Sequence, residues 1–254
     1  MSYNEPSDAQ THKQTIIPPK KHVDIIVLVI ASLSDLYTPM INEYWKRMID
    51  VCEESCSNMK IYLVFGGDPE TNVVIPSSSM IISNTPESSV PGVLLKTIYA
   101  YDYIAKKHTY RHVLRTNISS FLHIENTVSL QRTFPSKGFY GGVTARANSI
   151  MFVSGAGIWM SPDVADALVK AKSELYYHLL DDVAIGAFLQ HKIHMVSLPR
   201  IDSPYWGSDP IDHVLDKLAS DISALKHYHV RCKHADRSRD LELLIGLMNR
   251  FNNP

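Results

Sequence analysis

Short, continuous apolar runs alternate along the first half of the chain with longer stretches in which apolar residues recur every three or four positions. The run from Ile25 to Ile30 is rich in β-branched residues, which is typical of a strand buried on both faces of a parallel sheet. Similar runs predict three further strands, at residues 61–65, 80–82 and 112–116. Helical spacing predicts two helices, over residues 41–52 behind Pro39 and over residues 93–104 behind Pro91. This strand–helix–strand order predicts an α/β fold with a twisted sheet.

The second half of the chain is less regular. Ser161, followed by Pro162 and Asp163, predicts the capped start of a helix. Other elements are predicted as strands at residues 139–142 and 149–153 and as helices from residue 181 onward, over 214–225 and over 241–251, with a short segment at 228–231. No repeat or linker interrupts the pattern, so we predict a flexible tail of residues 1–22 and one domain of residues 23–254. Its sheet should be mixed, mainly parallel and flanked by helices.

Composition excludes several classes of protein. The chain of 254 residues is 45% hydrophobic and 20% charged, with a formal net charge of -1. It therefore lacks the low hydrophobicity and high net charge of disordered chains, and the basic excess of most nucleic-acid binders. The cysteines, Cys52, Cys56 and Cys232, include no Cys-x-x-Cys pair, which favours a reducing, cytoplasmic compartment over a disulfide framework. No apolar run approaches the roughly 20 residues that cross a bilayer, so we expect no transmembrane segment.

Polar segments follow three of the predicted strands, at residues 31–35, 66–68 and 117–120. In open α/β sheets, ligands bind beyond the carboxyl ends of the strands, so we expect these segments to form the binding site. No Gly-x-Gly-x-x-Gly motif follows the first strand, and no P-loop motif occurs in the chain. Both absences argue against a Rossmann-type dehydrogenase and a P-loop nucleotidase.

Four segments, taken together in their order, resemble a known family. They are residues 94–97, 113–117, 153–161 and 181–186. Their order and spacing are similar to the β-1,3-galactosyltransferase and fringe-like group of GT-A glycosyltransferases, in which a Lys-Thr helix, a strand ending in aspartates, a Gly-Ala-Gly strand and an acid-Asp-Val helix start follow one another. The resemblance covers roughly residues 25–198. It implies a GT-A-like, Rossmann-like sheet and transfer of a sugar from a nucleoside-diphosphate sugar, such as a UDP-sugar, to a glycan or other hydroxyl acceptor.

The chain departs from this family where the resemblance places metal-binding aspartates. It has Asn117, Ile118 and Ser119 there, and neutral amide and hydroxyl oxygens bind Mn²⁺ or Mg²⁺ far more weakly than carboxylates do. A divalent ion is therefore either held by other groups or replaced by cationic side chains. The resemblance implies a position near the metal or the diphosphate for His229, which is the candidate metal ligand.

A basic segment near the C-terminus is a possible replacement for the metal. Residues 226–239 contain five Lys or Arg against one acid, Asp236. We predict that Arg231 and Lys233 bind the diphosphate, because Arg supplies forked donors to phosphate oxygens and Lys a compact charge. The alternative is a solvated basic loop, since charge runs usually face water.

The resemblance assigns the chemistry to Asp182. In the inverting members of the group, the Asp of the acid-Asp-Val motif is the general base that removes the proton of the acceptor hydroxyl. Asp181 beside it is expected to tune that carboxylate or to bind the acceptor. The alternative is that both residues only cap the N-terminus of a helix, a position that favours acids.

Further donor-binding residues are predicted from the resemblance and from positions at strand ends. Asp68 suits an ordinary turn equally well, and Trp159 is expected in the core rather than against a sugar. Gly155 and Gly157 are expected to let a sugar or diphosphate approach the backbone. The aromatic loop at residues 205–207, Tyr-Trp-Gly, is a candidate lining of the acceptor cleft. The predicted donor-binding set is Ala31, Ser32, Asp35, Asp68, Lys96, Arg115, Asn117, Ser119, Gly155, Gly157, His229, Arg231 and Lys233.

Two functions are open on the sequence alone. The first is an inverting glycosyltransferase without a membrane segment. The second is a GT-A-like module that has lost its metal site and binds carbohydrate or nucleotide, or acts as a scaffold, without catalysis. The missing aspartates favour the second function, and the presence of Asp182 favours the first.

Overall fold

Twelve strands and seven α-helices occur in the residues that the computed structural model describes, which are 19–32, 34, 36–55, 58–67, 75–203, 209–234 and 236–251. The strands are β1 (Lys21–Ile30), β2 (Met59–Phe65), β3 (Met80–Ile82), β4 (His108–Asn117), β5 (Ser120–Leu122), β6 (Tyr140–Gly142), β7 (Thr144–Ala147), β8 (Ile150–Val153), β9 (Gly157–Met160), β10 (Met195–Ser197), β11 (Ile201–Ser203) and β12 (His229–Cys232). The helices are α1 (Lys46–Ser55), α2 (Gly92–Lys107), α3 (Ile124–Gln131), α4 (Pro162–Lys170), α5 (Asp181–Leu189), α6 (Ile211–Leu225) and α7 (Arg237–Phe251). A π-helical segment, Met40–Trp45, runs directly into α1.

Seven strands form the central sheet, in the order β10-β6-β9-β4-β1-β2-β3. The strands from β4 to β3 are parallel neighbours, and β10 is parallel to β6. Between them, β9 runs antiparallel to both β4 and β6. The hairpin of β7 and β8 and a three-stranded sheet, β11-β12-β5, lie outside the central sheet. The predicted architecture, one domain with a mixed, mainly parallel sheet, is confirmed.

The β1 strand is buried on both faces, as its continuous apolar run predicts. Ile25 and Val27 belong to one apolar cluster, which also contains residues of Met40–Trp45, α1, α6 and α7. Ile26 and Leu28 point to the opposite face, because side chains alternate along a strand, and belong to a second cluster with α2, α4 and α5. The sheet therefore lies between two layers of helices.

The first half of the chain follows the predicted elements more closely than the second. β1 begins at Lys21, four residues before the predicted run, so residues 21–22 belong to a strand and not to the predicted tail of residues 1–22. No predicted element corresponds to β5, α3, β7, β10 or β11. The Gly-Ala-Gly segment is a turn that leads into β9, which begins at Gly157. Ser161 precedes α4 as predicted, but its hydroxyl donates to Asp163 and accepts from the Phe139 N–H instead of capping the helix.

A strand pairing between distant parts of the chain brings the basic C-terminal segment to the sheet. β12 pairs antiparallel with β5, which follows β4 after a short turn, and Arg231 lies opposite Ser120. The Cys232 N–H donates to the Ser119 carbonyl oxygen at 2.8 Å. The basic segment therefore lies at the carboxyl end of β4, beside the parallel strand β1.

The compartment prediction depends on features that the structure describes only in part. No helix within the described ranges has both the length and the apolar character needed to cross a membrane. Cys52 and Cys232 are buried thiols. Cys56 and residues 1–18 of the predicted tail lie outside the described residues, so the cytoplasmic location stays a prediction.

Candidate functional site

A cleft of about 350 Å³ lies at the carboxyl ends of β1 and β4. Its walls come from those strand ends, from the segment that precedes α2, and from the region of β12 and α7. Seven of the predicted donor-binding residues line it: Ala31, Ser32, Lys96, Asn117, Ser119, Arg231 and Lys233. The fold thus brings residues from both ends of the chain into one site.

Lys96 is a buried cation in the wall of the cleft. Its ammonium donates to the Ala31 carbonyl oxygen at 2.6 Å and to Glu87 Oε2 at 2.9 Å. Glu87 Oε1 in turn accepts from the Gly66 N–H at 2.5 Å. Burial lowers the pKa of Lys96, and the Glu87 carboxylate opposes that shift. This network ties the ends of β1 and β2 to α2 and holds a positive charge at the cleft.

Arg231, on β12, and Lys233, just after it, bring two more positive charges to the cleft. Within the described part of the chain, neither side chain forms an ion pair. Burial and the nearby Arg200 lower the pKa of Arg231, while the carboxylates of Asp202 and Asp182 oppose this shift. Arg200 is itself paired with Asp202, through contacts of 2.8 and 3.0 Å. An anion that enters the cleft therefore meets two positive charges that no carboxylate of the described residues pairs with.

Arg115 and Asp181 form an ion pair in the interior, outside the lining of the cleft. Their side chains are only 5% and 12% exposed, and Arg115 also donates to the Gly155 carbonyl oxygen. Burial raises the pKa of Asp181, and the Arg115 guanidinium opposes the rise. Arg115 thus pairs with groups of the protein and does not line the cleft, and Asp181 joins α5 to β4. The contacts of Arg115 with the donor and of Asp181 with the acceptor stay predictions.

Asp182 lies in the first turn of α5. Its Oδ2 accepts from the Gly155 N–H and its Oδ1 from the Val183 N–H, both at 2.9 Å. The bond from Val183 fits the interpretation that Asp182 stabilises the start of the helix, whereas the bond from Gly155 ties α5 to the turn before β9. Asp182 does not line the cleft, and its carboxylate opposes the lowering of the pKa of Arg231, which does. Two backbone N–H groups therefore hold the carboxylate in one position outside the lining of the cleft.

Gly155 and Gly157 make room for side chains of the protein itself. A Cβ on Gly155 would lie 2.7 Å from the Arg115 guanidinium, and a Cβ on Gly157 would lie 2.8 Å from His229 Nδ1. The space expected for a sugar or diphosphate is thus filled by the protein. His229 is fully buried and does not line the cleft, and burial and Arg200 hold its pKa well below the ordinary value. His229 is a neutral core residue rather than a metal ligand in the cleft.

The groups at the end of β4 do not fit a divalent cation. Asn117 Oδ1 accepts from the Ser120 hydroxyl at 3.0 Å, and Ser119 Oγ accepts from Arg237 at 3.4 Å. Among the residues that the structure describes, no three His, Cys, Asp or Glu side chains are grouped to hold a metal. Mg²⁺ and Mn²⁺ prefer carboxylate oxygens, so these neutral and cationic groups suit an anion.

The remaining predicted residues either lie outside the described ranges or belong to the core. Asp35, Asp68 and the aromatic loop at residues 205–207 lie outside the described residues, so their roles stay predictions. Trp159 is fully buried and packs edge-on against Phe134, with ring centroids 5.3 Å apart. Its predicted place in the core is confirmed.

Nine further residues line the cleft, and three of them with polar or charged side chains are Tyr37, Glu87 and Arg237, which the predicted donor-binding set does not contain. The sequence does point to Arg237, because it lies in the basic segment and can pair with Asp240, three residues later on the same helix. No comparable sequence pattern points to Tyr37 or Glu87. Their positions depend on how the loops after β1 and before α2 fold over the sheet.

Solved structures of other proteins are similar to this chain to different degrees. A glycosyltransferase involved in the glycosylation of the major capsid of PBCV-1 is 8% identical, with 87% of this chain and 99% of that chain covered and a TM-score of 0.51. The galactosyltransferase LgtC, solved with donor and acceptor sugar analogues, is 9% identical, with 91% and 97% covered and a TM-score of 0.47. The 4-diphosphocytidyl-2C-methyl-D-erythritol synthase of Anaerococcus prevotii is 11% identical, with 69% and 86% covered and a TM-score of 0.42.

The sequence itself has no comparable match. No family model matches the chain, and no curated protein matches it. At 8% identity, the likeness to the capsid glycosyltransferase concerns the fold alone. The chain therefore has the GT-A, Rossmann-like fold, and its place in the fringe-like group stays a prediction.

Proposed function

We propose that this protein transfers a sugar from a nucleoside-diphosphate sugar to a hydroxyl acceptor, with the donor bound in the cleft at the ends of β1 and β4. The observation that carries the proposal is the meeting of Lys96, Arg231 and Lys233 in that cleft. Arg and Lys bind phosphate oxygens through charge-assisted hydrogen bonds. Nucleotides bind α/β sheets at this edge, beyond the carboxyl ends of the strands. The fold, which a glycosyltransferase shares, supports this class of reaction.

The proposed donor lies across the cleft from β1 to β12. Its nucleoside contacts Ala31 and Ser32, and its diphosphate contacts Arg231 and Lys233. Negative charge accumulates on the diphosphate as its bond to the sugar breaks, and cations already in position stabilise that charge. Because the groups at the end of β4 do not fit a divalent ion, no step of the proposed reaction uses one.

Asp182 is the general base of the proposed reaction. The acceptor oxygen attacks the anomeric carbon from the face opposite the diphosphate, and the bond from that carbon to the diphosphate oxygen breaks with its electron pair leaving on oxygen. The hydroxyl proton passes to Asp182, and the product has the inverted configuration. Two observations support this role: backbone N–H groups hold the carboxylate in one position, and its charge opposes the lowering of the pKa of Arg231. Inversion and the fringe-like subgroup belong to the same proposal.

The test compares wild type with Asp182→Asn in transfer and slow hydrolysis of a panel of UDP- and GDP-sugars. Asparagine keeps an oxygen that accepts the Gly155 hydrogen bond, but it takes up no proton. Turnover should therefore fall by about 10²–10⁴-fold, with a nearly unchanged melting temperature. Asp212→Asn is the matched control, because Asp212 is an exposed acid in the first turn of α6 and does not line the cleft.

A second candidate function is binding without catalysis. It is favoured by the hydrogen bonds to both Asp182 oxygens, since a purely structural carboxylate that joins α5 to the turn before β9 would make the same bonds. Wild-type protein that binds nucleoside diphosphates but neither hydrolyses nor transfers any sugar of the panel would show this function. Near wild-type turnover by Asp182→Asn would instead keep the transfer and remove Asp182 from its mechanism.

A further inference from the structure

Arg237, the first residue of α7, lines the cleft in a fixed position. Its Nη1 donates to Asp240 Oδ2 at 2.7 Å and to Ser119 Oγ at 3.4 Å. Its guanidinium carbon lies 6.0 Å from the centre of the Tyr37 ring. The Arg237 side chain is 20% exposed, so it is held by the protein and still open to the cleft.

The partner of Arg237 is a carboxylate with no exposure to solvent. Asp240 is fully buried, and its Oδ1 accepts from the His234 N–H at 2.7 Å. A buried carboxylate is stable only when its oxygens are hydrogen-bonded and its charge is paired. Arg237 supplies that charge, so turning it away from Asp240 would leave a buried anion unpaired. This cost holds the guanidinium at the cleft before any ligand binds.

The groups next to Arg237 are hydrogen-bond donors rather than metal ligands. The Ser119 oxygen accepts from Arg237, which leaves the Ser119 proton to be donated to another acceptor. Asn117 Oδ1 accepts from the Ser120 hydroxyl, which leaves the Asn117 amide N–H groups as donors. The end of β4, where the resemblance places carboxylates, thus combines donors with a fixed positive charge.

A second cation stands close to Arg237. The charge of Arg237 contributes to lowering the pKa of Arg231, after burial and Arg200. Asp240 is already saturated by Arg237 and the His234 N–H, and no ion pair of Arg231 occurs in the described ranges. Asp240 offsets the charge of Arg237, whereas the charges of Arg231 and Lys233 have no paired carboxylate in the described ranges. The local charge balance therefore favours a ligand with at least two negative charges.

We propose that Arg237, positioned by Asp240, gives the bound diphosphate the charge stabilisation that a divalent cation gives in a metal-dependent transferase. The inference rests on the proposed function, because it concerns the diphosphate of the same donor. Arg237 contacts the diphosphate, with Ser119 and Asn117 donating beside it, and Asp240 acts as a positioning residue. Nucleotide binding therefore needs no divalent ion.

Calorimetry with UDP, GDP, ADP and pyrophosphate, each in EDTA and in Mn²⁺, tests this inference. Wild-type protein should bind at least one nucleoside diphosphate in EDTA, with little change on adding Mn²⁺. Arg237→Gln should weaken that binding by about ten- to hundredfold, the effect of losing a charge-assisted bond to phosphate. Arg250→Gln is the control, because Arg250 lies on the same helix in a more exposed ion pair with Asp216 and does not line the cleft.

The role of Asp240 is tested by a double-mutant cycle. Asp240→Asn should weaken nucleotide binding in the wild-type background and have little further effect in Arg237→Gln, because both changes act through the same guanidinium. A merely structural Asp240 would instead give equal effects in both backgrounds. If either single variant does not fold, the affinity of the double variant Arg237→Gln/Asp240→Asn, which leaves no buried charge unpaired, decides the inference.

Each remaining result has a definite meaning. Binding that EDTA abolishes and Mn²⁺ restores would overturn the inference and keep the proposed function. Unchanged affinity of Arg237→Gln would overturn the inference in the same way. Failure of wild-type protein to bind every nucleoside diphosphate in both conditions would overturn the proposed function and, with it, this inference.

Discussion

Two groups of charges near the carboxyl end of the sheet are built differently. In the interior, Arg115 and Asp181 are paired with each other and are nearly inaccessible. In the cleft, Arg231 and Lys233 are more open, and no carboxylate pairs with them in the described ranges. A buried pair satisfies its own charges, whereas cations without a paired carboxylate suit a ligand that brings negative charge. Pairing therefore distinguishes Arg231 and Lys233 from the interior pair. Lys96 and Arg237 also line the cleft, but Glu87 and Asp240 pair with them and hold them in position.

The largest effect on stability should come from breaking the interior pair. Asp181→Asn removes one charge and leaves the buried Arg115 guanidinium uncompensated, which should lower the free energy of unfolding by about 3–5 kcal/mol. Urea denaturation followed by circular dichroism measures this change.

The neighbouring aspartate is the natural control for that measurement. Asp182→Asn keeps an acceptor for the Gly155 N–H and loses only a favourable charge at the N-terminus of α5, worth about 0.3–1 kcal/mol. Equal losses of stability in the two variants would contradict the division between a structural Asp181 and an Asp182 that is available for chemistry.

A smaller effect is expected in the cleft, and on binding rather than on folding. Replacing both Arg231 and Lys233 by Ala should raise the Kd for a nucleoside diphosphate by about ten- to hundredfold. Calorimetry with UDP and GDP measures this change, and a melting curve shows whether the variant folds. The pair Arg132→Ala and Lys137→Ala removes the same charge from exposed positions that do not line the cleft. Equal affinity in the two double variants would reject the role of Arg231 and Lys233.

The strands of this fold differ in how well the sequence predicts them. The parallel strands β1 and β2 contain continuous apolar runs, so a local pattern identifies them. β4 has only Val113 and Leu114 as a short apolar run at its centre. β5 and β11 have three residues each and, unlike the equally short β3, include polar residues that interrupt any apolar run. The pairing of β12 with β5 joins segments more than a hundred residues apart, and the order of residues along the chain carries no sign of it. Local sequence patterns thus predict the parallel strands, whereas the short strands and their pairing depend on contacts that form only in the folded protein.

The candidate site divides in the same way. Ala31 and Asn117 were predictable because they end strands whose position was clear. The contact between Glu87 and Lys96 was not, because the loop before α2 creates it. The sequence predicts that Gly157 lacks a side chain because a ligand approaches it. In the structure, His229 occupies the space that a Cβ would need.

The smallest expected effect concerns His229, which lies among the interior charges rather than in the cleft. Burial holds its pKa well below the ordinary value of about 6.5, so the folded protein keeps the ring neutral while the unfolded chain takes up a proton. The resulting stability is present above about pH 6.5 and is lost as the pH falls, at roughly 1.4 kcal/mol per pH unit for this one residue. His229→Leu should remove that part of the pH dependence between pH 7 and 5.5 in urea denaturation, while the other histidines contribute equally to both proteins. If the free energy of unfolding changed with pH in the same way in wild type and variant, the folded protein would protonate the ring as easily as the unfolded chain does. His229 would then be accessible to water, like the residues of the cleft, and not part of the interior.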